Sequence, residues 1–242
     1  MVTITEIREK CKKEYWGFFN RLVHEVGFYF TKPFINTPIT SNQVTLFWLF
    51  LGVVGAALLS TGVYKWMLLG IIIYHLGHFF DCVDGNLARY RNKPSLKGQY
   101  LEQIAHHITI LSVLCGLTVG TFRMTDNVLS LYLGGIAVGA FVFAKLFNIN
   151  LISYKAELRD RVAQIIDKLN PRKRSKLTIF IFGFVRIEHP LNLMFFTILL
   201  NKPLVGLGCY AFLHTVEMVK KLATSLVKLQ KADDETALAQ QK

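Results

Sequence analysis

Cysteine is scarce and scattered in this chain. Cys11, Cys82, Cys115 and Cys209 form no C-x-x-C pair, so neither a disulfide framework nor a zinc site is implied. Acidic residues are also in short supply, 16 against 28 Lys and Arg, for a net charge of +12. Such a surplus can mark nucleic-acid binding, but that reading needs the cations gathered on one soluble face with stacking aromatics. Here they fall between apolar blocks, and no nucleic-acid partner is expected. The N-terminus has no apolar h-region, because Glu6 to Arg21 is too charged, which excludes a cleavable signal. No repeat, low-complexity linker or second domain is visible.

Apolar residues are abundant instead, 52% of the 242, and they come in long blocks rather than in the scattered pattern of a soluble domain. About 20 consecutive apolar residues cross a bilayer as a helix. Six spans are predicted, over 44–64, 66–88, 99–121, 128–152, 177–200 and 203–221. Their loops alternate in charge. One set holds only Lys65, Arg123 and Lys202. The other holds Arg89, Arg91, Lys93 and Lys97, then eight basic residues from Lys155 to Lys176, then Lys220, Lys221 and Lys228. The positive-inside rule makes the second set cytoplasmic, together with both termini. The expectation is an all-α, polytopic integral membrane protein of one domain, with a 44–221 bundle and a 222–242 cytoplasmic tail.

Before the first span, residues 1–35 predict an amphipathic interfacial helix. Thr3 and Glu6 have capping-box spacing. Ile7, Cys11, Tyr15, Phe18, Phe19, Leu22 and Val26 recur at three- and four-residue steps, giving one apolar face. A helix packed on a partner protein is the plain alternative. The basic segment 155–176 reads as a short interfacial helix on anionic lipid.

The chemistry gathers where the second span ends. Asp81 and Asp84 are three apart, so their carboxylates share a helix face. Arg89 follows, and after eight residues Gly98 opens the third span, which carries Glu102 and His106 on one face. Ionisable groups inside spans are costly and usually functional. The short connection predicts that the two helices are antiparallel neighbours with these four groups facing each other. Carboxylates so gathered repel unless a cation joins them. Oxygen ligands at this density suit Mg²⁺ or Mn²⁺, one or two ions, which can clamp a pyrophosphate. Arg89 adds a forked donor for phosphate oxygens. Gly85, Ala88 and Gly98 leave the backbone open to close approach. An internal ion pair of Asp84 with Arg89 accounts for single residues but not for the spaced set.

Asp81, Asp84, Gly85, Ala88, Arg89 and Gly98 resemble the D-x-x-D-G-x-x-A-R…G-x-x-x-D-x-x-x-D signature of the CDP-alcohol phosphotransferases. Asn42 and Thr45 are similar to that family's N-x-x-T element. The resemblance implies a homodimeric membrane enzyme that moves a substituted phosphate group from a CDP-linked donor, a lipid or a small alcohol, to an alcohol acceptor with release of CMP. By position it assigns metal binding to Asp81, Asp84 and Glu102. It assigns the nucleotide to Asp81, Asp84, Gly85, Ala88, Arg89 and Gly98, with Asn42 and Thr45, and makes the fourth acidic position the general base.

Two positions depart from the signature. Glu102 stands for an aspartate, one methylene longer. His106 stands for the other, and imidazole titrates near neutrality, which suits a general base. It equally suits a metal ligand that favours Mn²⁺ over Mg²⁺, a site with a single ion, or a member that has lost activity; the base is preferred here. His75 and His78 precede Asp81 on a related face, as support for the metal site or as partners of a neighbouring helix, while His107 points away. Lys145, with Arg186 and His189, forms a candidate anionic-acceptor site, an internal ion pair being the alternative. The rival readings of the whole chain are an ion-coupled carrier and an inactive relative of the family.

Overall fold

The computed structural model describes residues 2–11, 18–93, 95–153 and 192–240. All regular structure among them is helical: α1 (Ile4–Lys10), α2 (Phe18–Thr31), a 3₁₀ turn (Lys32–Phe34), α3 (Ser41–Leu59), α4 (Tyr64–Tyr90), α5 (Leu96–Thr125), α6 (Leu129–Ser153), α7 (Leu193–Leu199) and α8 (Pro203–Gln240).

Local chemistry sets the boundaries. Thr40 opens α3 with a full capping box, its hydroxyl accepting from Gln43 N while its own N–H donates to Gln43 Oε1. These bonds satisfy backbone groups that a helix start leaves bare, so α3 begins three residues before the apolar block does. Ser95 caps α5 by accepting from Gly98 N, and Asn192 caps α7. Between α3 and α4, Gly62 adopts φ 72°, and a Cβ there would lie 2.6 Å from that of Arg123. Only glycine meets both demands. Beyond residue 208 the chain has neither Gly nor Pro, and α8 accordingly runs on through most of the predicted tail, to Gln240.

Four helices are long and apolar enough to cross a membrane: Ser41–Leu59, Tyr64–Tyr90, Leu96–Thr125 and Leu129–Leu146. Large apolar side chains such as Phe50, Ile72, Phe143 and Phe212 point outwards from them and from α8, as lipid-facing residues do. The chain is an integral membrane protein. Most of the predicted fifth span, and all of the basic 155–176 segment, lie outside the described residues.

One core runs through α3 to α8, built from residues such as Leu59, Ile71, Leu114, Phe141, Met194 and Leu207. Within it, α3 is a wedge. It packs closely on α4 and on α5, which meet each other chiefly through side chains such as Asp81 and His106. The backbones of α4 and α5 each approach α3 more closely than they approach one another. Small residues explain it: a Cβ on Gly116 or Gly120 of α5 would strike the Ala56 or Leu59 carbonyl of α3, and one on Gly55 would meet Gly70 O of α4 at 2.7 Å. Backbones that close need stripes of small residues.

The N-terminal region is two described helices rather than one. Ile7 and Cys11 of α1 are buried in a second cluster with Phe28, Val44, Val83 and Leu87. α2 lies along α4, where Phe30 stacks on Phe79 at 5.7 Å. The α1 cap is half of the predicted box: Thr3 accepts from Glu6 N, but the Glu6 carboxylate accepts from Tyr90 Oη of α4 at 2.6 Å.

Candidate metal and nucleotide site

The last turns of α4 and the first turns of α5 bring Asp81, Glu102 and His106 together, so that one ligand atom from each lies within 4.8 Å of the others. His106 Nε2 stands 3.1 Å from Asp81 Oδ1, and His78 Nδ1 stands 3.8 Å from Asp81 Oδ2. The Trp48 ring of α3 lies against the His106 imidazole, centroids 4.9 Å apart.

Asp84 is held differently. Its Oδ2 accepts from Thr45 Oγ1 at 2.7 Å and from Trp48 Nε1 at 2.8 Å, both on the wedge helix. Its Oδ1 is buried with no hydrogen-bond partner among the described residues. Arg89 makes no ion pair with it there. The guanidinium folds back over Gly85, where a Cβ would lie 3.3 Å from Nη1, and Nη2 donates to Asn86 Oδ1 at 2.8 Å. Asn42 reaches the start of α5, its Oδ1 3.1 Å from where a Cβ on Gly98 would stand. Ala88 is partly buried on the same last turn of α4.

The family model for CDP-alcohol phosphatidyltransferase matches residues 38–200. This chain belongs to the CDP-alcohol phosphatidyltransferase family. Among curated proteins none matches it. The match takes in α3 to α7 with the whole motif and leaves α1 and α2 outside.

The donor set of this phosphatidyltransferase-family site suits a divalent cation. Two carboxylates and an imidazole so close together repel or crowd one another without one, and the partnerless Asp84 Oδ1 is a further buried oxygen that a cation would satisfy. Residues able to hold it are Asp81, Glu102 and His106, with Asp84 beside them.

A cleft of about 440 Å³ opens from this cluster, lined by Gln99, Glu102, Gln103, His106, His107 and Lys145. It joins the cation ligands of α5 to Lys145 of α6, whose Nζ lies 5.2 Å over the Phe141 ring. Arg186 and His189 lie outside the described residues. His75 is buried between Tyr74 and Phe195, away from Asp81, whereas His78 faces it. The sequence reading missed Trp48. Its signal was there: Asn42, Thr45 and Trp48 recur at three-residue steps in an otherwise apolar span, which puts their side chains along one helix face.

Proposed function

We propose that this protein transfers a substituted phosphate group from a CDP-linked donor to an alcohol, releasing CMP. The observation that carries the reading is the convergence of Asp81, Glu102 and His106 from two helices, next to the motif turn that bears Arg89. A cation bound by Asp81, Asp84 and Glu102 would neutralise the diphosphate and stabilise CMP as it leaves. Gly85 and Gly98 leave the backbone bare for the nucleotide, and the Arg89 guanidinium binds phosphate oxygens. The acceptor oxygen forms its bond to phosphorus as the bond from phosphorus to the CMP oxygen breaks. The His106 imidazole takes the hydroxyl proton, and Asp81, 3.1 Å from Nε2, stabilises the resulting cation.

The 440 Å³ cleft supports the acceptor's entry beside His106, with Lys145 receiving its anionic part alongside Arg186 and His189. Phosphatidyl transfer, with CDP-diacylglycerol as donor and a lipid tail held between spans, is the form the family suggests; a CDP-linked small alcohol is the other. Six spans, cytoplasmic termini with the site on the cytoplasmic side, and a homodimer complete the proposal.

The test is incubation of purified protein with a panel of CDP-linked donors and a total lipid extract, with Mg²⁺ or Mn²⁺, followed by mass spectrometry. A new phospho-linked product and stoichiometric CMP are expected, both abolished by EDTA. A response to metal with none to nucleotide would point to an ion carrier instead. Nucleotide binding without CMP release would mark an inactive relative.

A further inference from the structure

Arg89 is oriented by a short chain of polar groups that ends in α2, outside the matched residues 38–200. Its Nη2 donates to Asn86 Oδ1 at 2.8 Å, and Asn86 Nδ2 donates to Thr31 Oγ1 at 3.1 Å. The Thr31 hydroxyl in turn donates to Gly27 O at 2.7 Å. Asn86 and Thr31 are fully buried. The direction of this chain matters. A side-chain amide can turn over and exchange its donor and acceptor ends. Thr31 has committed its only proton to Gly27, so towards Asn86 it can only accept. That fixes the amide with NH₂ towards α2 and oxygen towards the guanidinium. Turned over, Asn86 would set donors against donors and release Arg89. The Arg89 Nε is buried with no hydrogen-bond partner among the described residues, so it does not hold the group in place.

The packing of α2 on α4 brings Thr31 within reach. Gly27 lies so close to α4 that a Cβ there would meet Cys82 Cβ at 2.9 Å. On the opposite side, Cys11 Sγ of α1 donates to the Asn86 backbone oxygen at 3.2 Å.

We infer that Thr31 and Asn86 are positioning residues for Arg89, so that the N-terminal helix is a working part of the nucleotide site. This rests on the transfer reaction proposed above. Loss of the Thr31 hydroxyl leaves a buried amide unsatisfied and its orientation unset, and its effect passes through Arg89 alone.

The experiment is calorimetric titration of CDP, with Mn²⁺ present, into detergent-solubilised wild type, Thr31→Val, Thr31→Ser, Arg89→Ala and the Thr31→Val/Arg89→Ala double variant. Thr31→Val is expected to weaken CDP about tenfold. Thr31→Ser, which keeps the hydroxyl, should stay within about twofold of wild type. The double variant should bind no worse than Arg89→Ala, a coupling that a general loss of fold would not give. In the transfer assay the Thr31→Val penalty should fall on KM for the donor more than on kcat. Thr31→Ala carries the same comparison should valine not fit. Unchanged CDP binding by folded Thr31→Val, or penalties that simply add in the double variant, would overturn the inference while leaving the reaction standing. Absence of CDP binding by wild type would overturn both.

Discussion

Asp84 Oδ2 lies 2.7 Å from Thr45 Oγ1 and 2.8 Å from Trp48 Nε1, so the second aspartate of the motif is fixed by the helix wedged between α4 and α5. An asparagine oxygen can accept the same two bonds. Asp84→Asn should therefore fold, with a melting temperature close to wild type in detergent, but lose charge at the cation site. Transfer should fall by on the order of a hundredfold or more, since even supporting groups of metal sites matter 10- to 100-fold. Thr45→Val with Trp48→Phe should do the reverse, lowering stability by roughly 1–3 kcal/mol for each bond lost to the buried carboxylate. An inactive Thr45→Val protein of unchanged stability would contradict this account.

His106 replaces the acid that the signature expects. Removing it as His106→Ala should cost on the order of 10²- to 10⁴-fold in kcat, the usual share of a proton-transfer group. His106→Asp should keep much of the rate, because a carboxylate there can also take the hydroxyl proton, and should leave the Mg²⁺ to Mn²⁺ preference unchanged; a shift towards Mg²⁺ would mark the imidazole as an ion ligand instead. Activity measured across both metals for the three proteins checks this. Equal metal preference in wild type and His106→Asp would show that the imidazole touches no ion.

Helix contact without side chains is the feature most sensitive to a single methyl. Gly120→Ala places a Cβ against the Leu59 carbonyl and must part α5 from α3. A loss of about 1–3 kcal/mol is expected, as for overpacking in other cores, read as a lower melting temperature. Gly135 has nothing among the described residues within reach of an added Cβ, so Gly135→Ala should melt as wild type does and serves as the control.

The motif and the four described spans were legible in the sequence because both signals are local: apolar length, and polar residues spaced by helical periodicity. The position of α3 was not, because it depends on which glycines face which carbonyls. Asn42 and Thr45 were found by resemblance, and their geometric roles, against Gly98 and on Asp84, emerge only from the assembled helices.

Glu6 offers a pH test of how α1 is attached. Its pKa lies below the usual 4.5, chiefly through the hydrogen bond from Tyr90 and then that from Lys10. A depressed folded value means that the contribution is present above 4.5 and is lost as pH falls through the lower, folded value. Hydrogen exchange of α1 amides, corrected for intrinsic rates, should therefore rise on acidification below pH 4.5, and should do so less in Tyr90→Phe. At neutral pH, Glu6→Gln should expose Cys11, which is buried in wild type with its thiol pushed above its ordinary range by that burial. Faster alkylation of Cys11 in the variant is the expected readout, and unchanged labelling would mean that α1 is held by its apolar face alone.

The wedge has a mechanical consequence. α3, α4 and α5 are keyed together where glycine backbones touch, whereas α6 and α8 form a tight pair of their own. Glu102 and His106 belong to the first body and Lys145 to the second, with the 440 Å³ cleft along the seam between them. The cation ligands and the Lys145 ammonium thus stand on opposite walls of one opening.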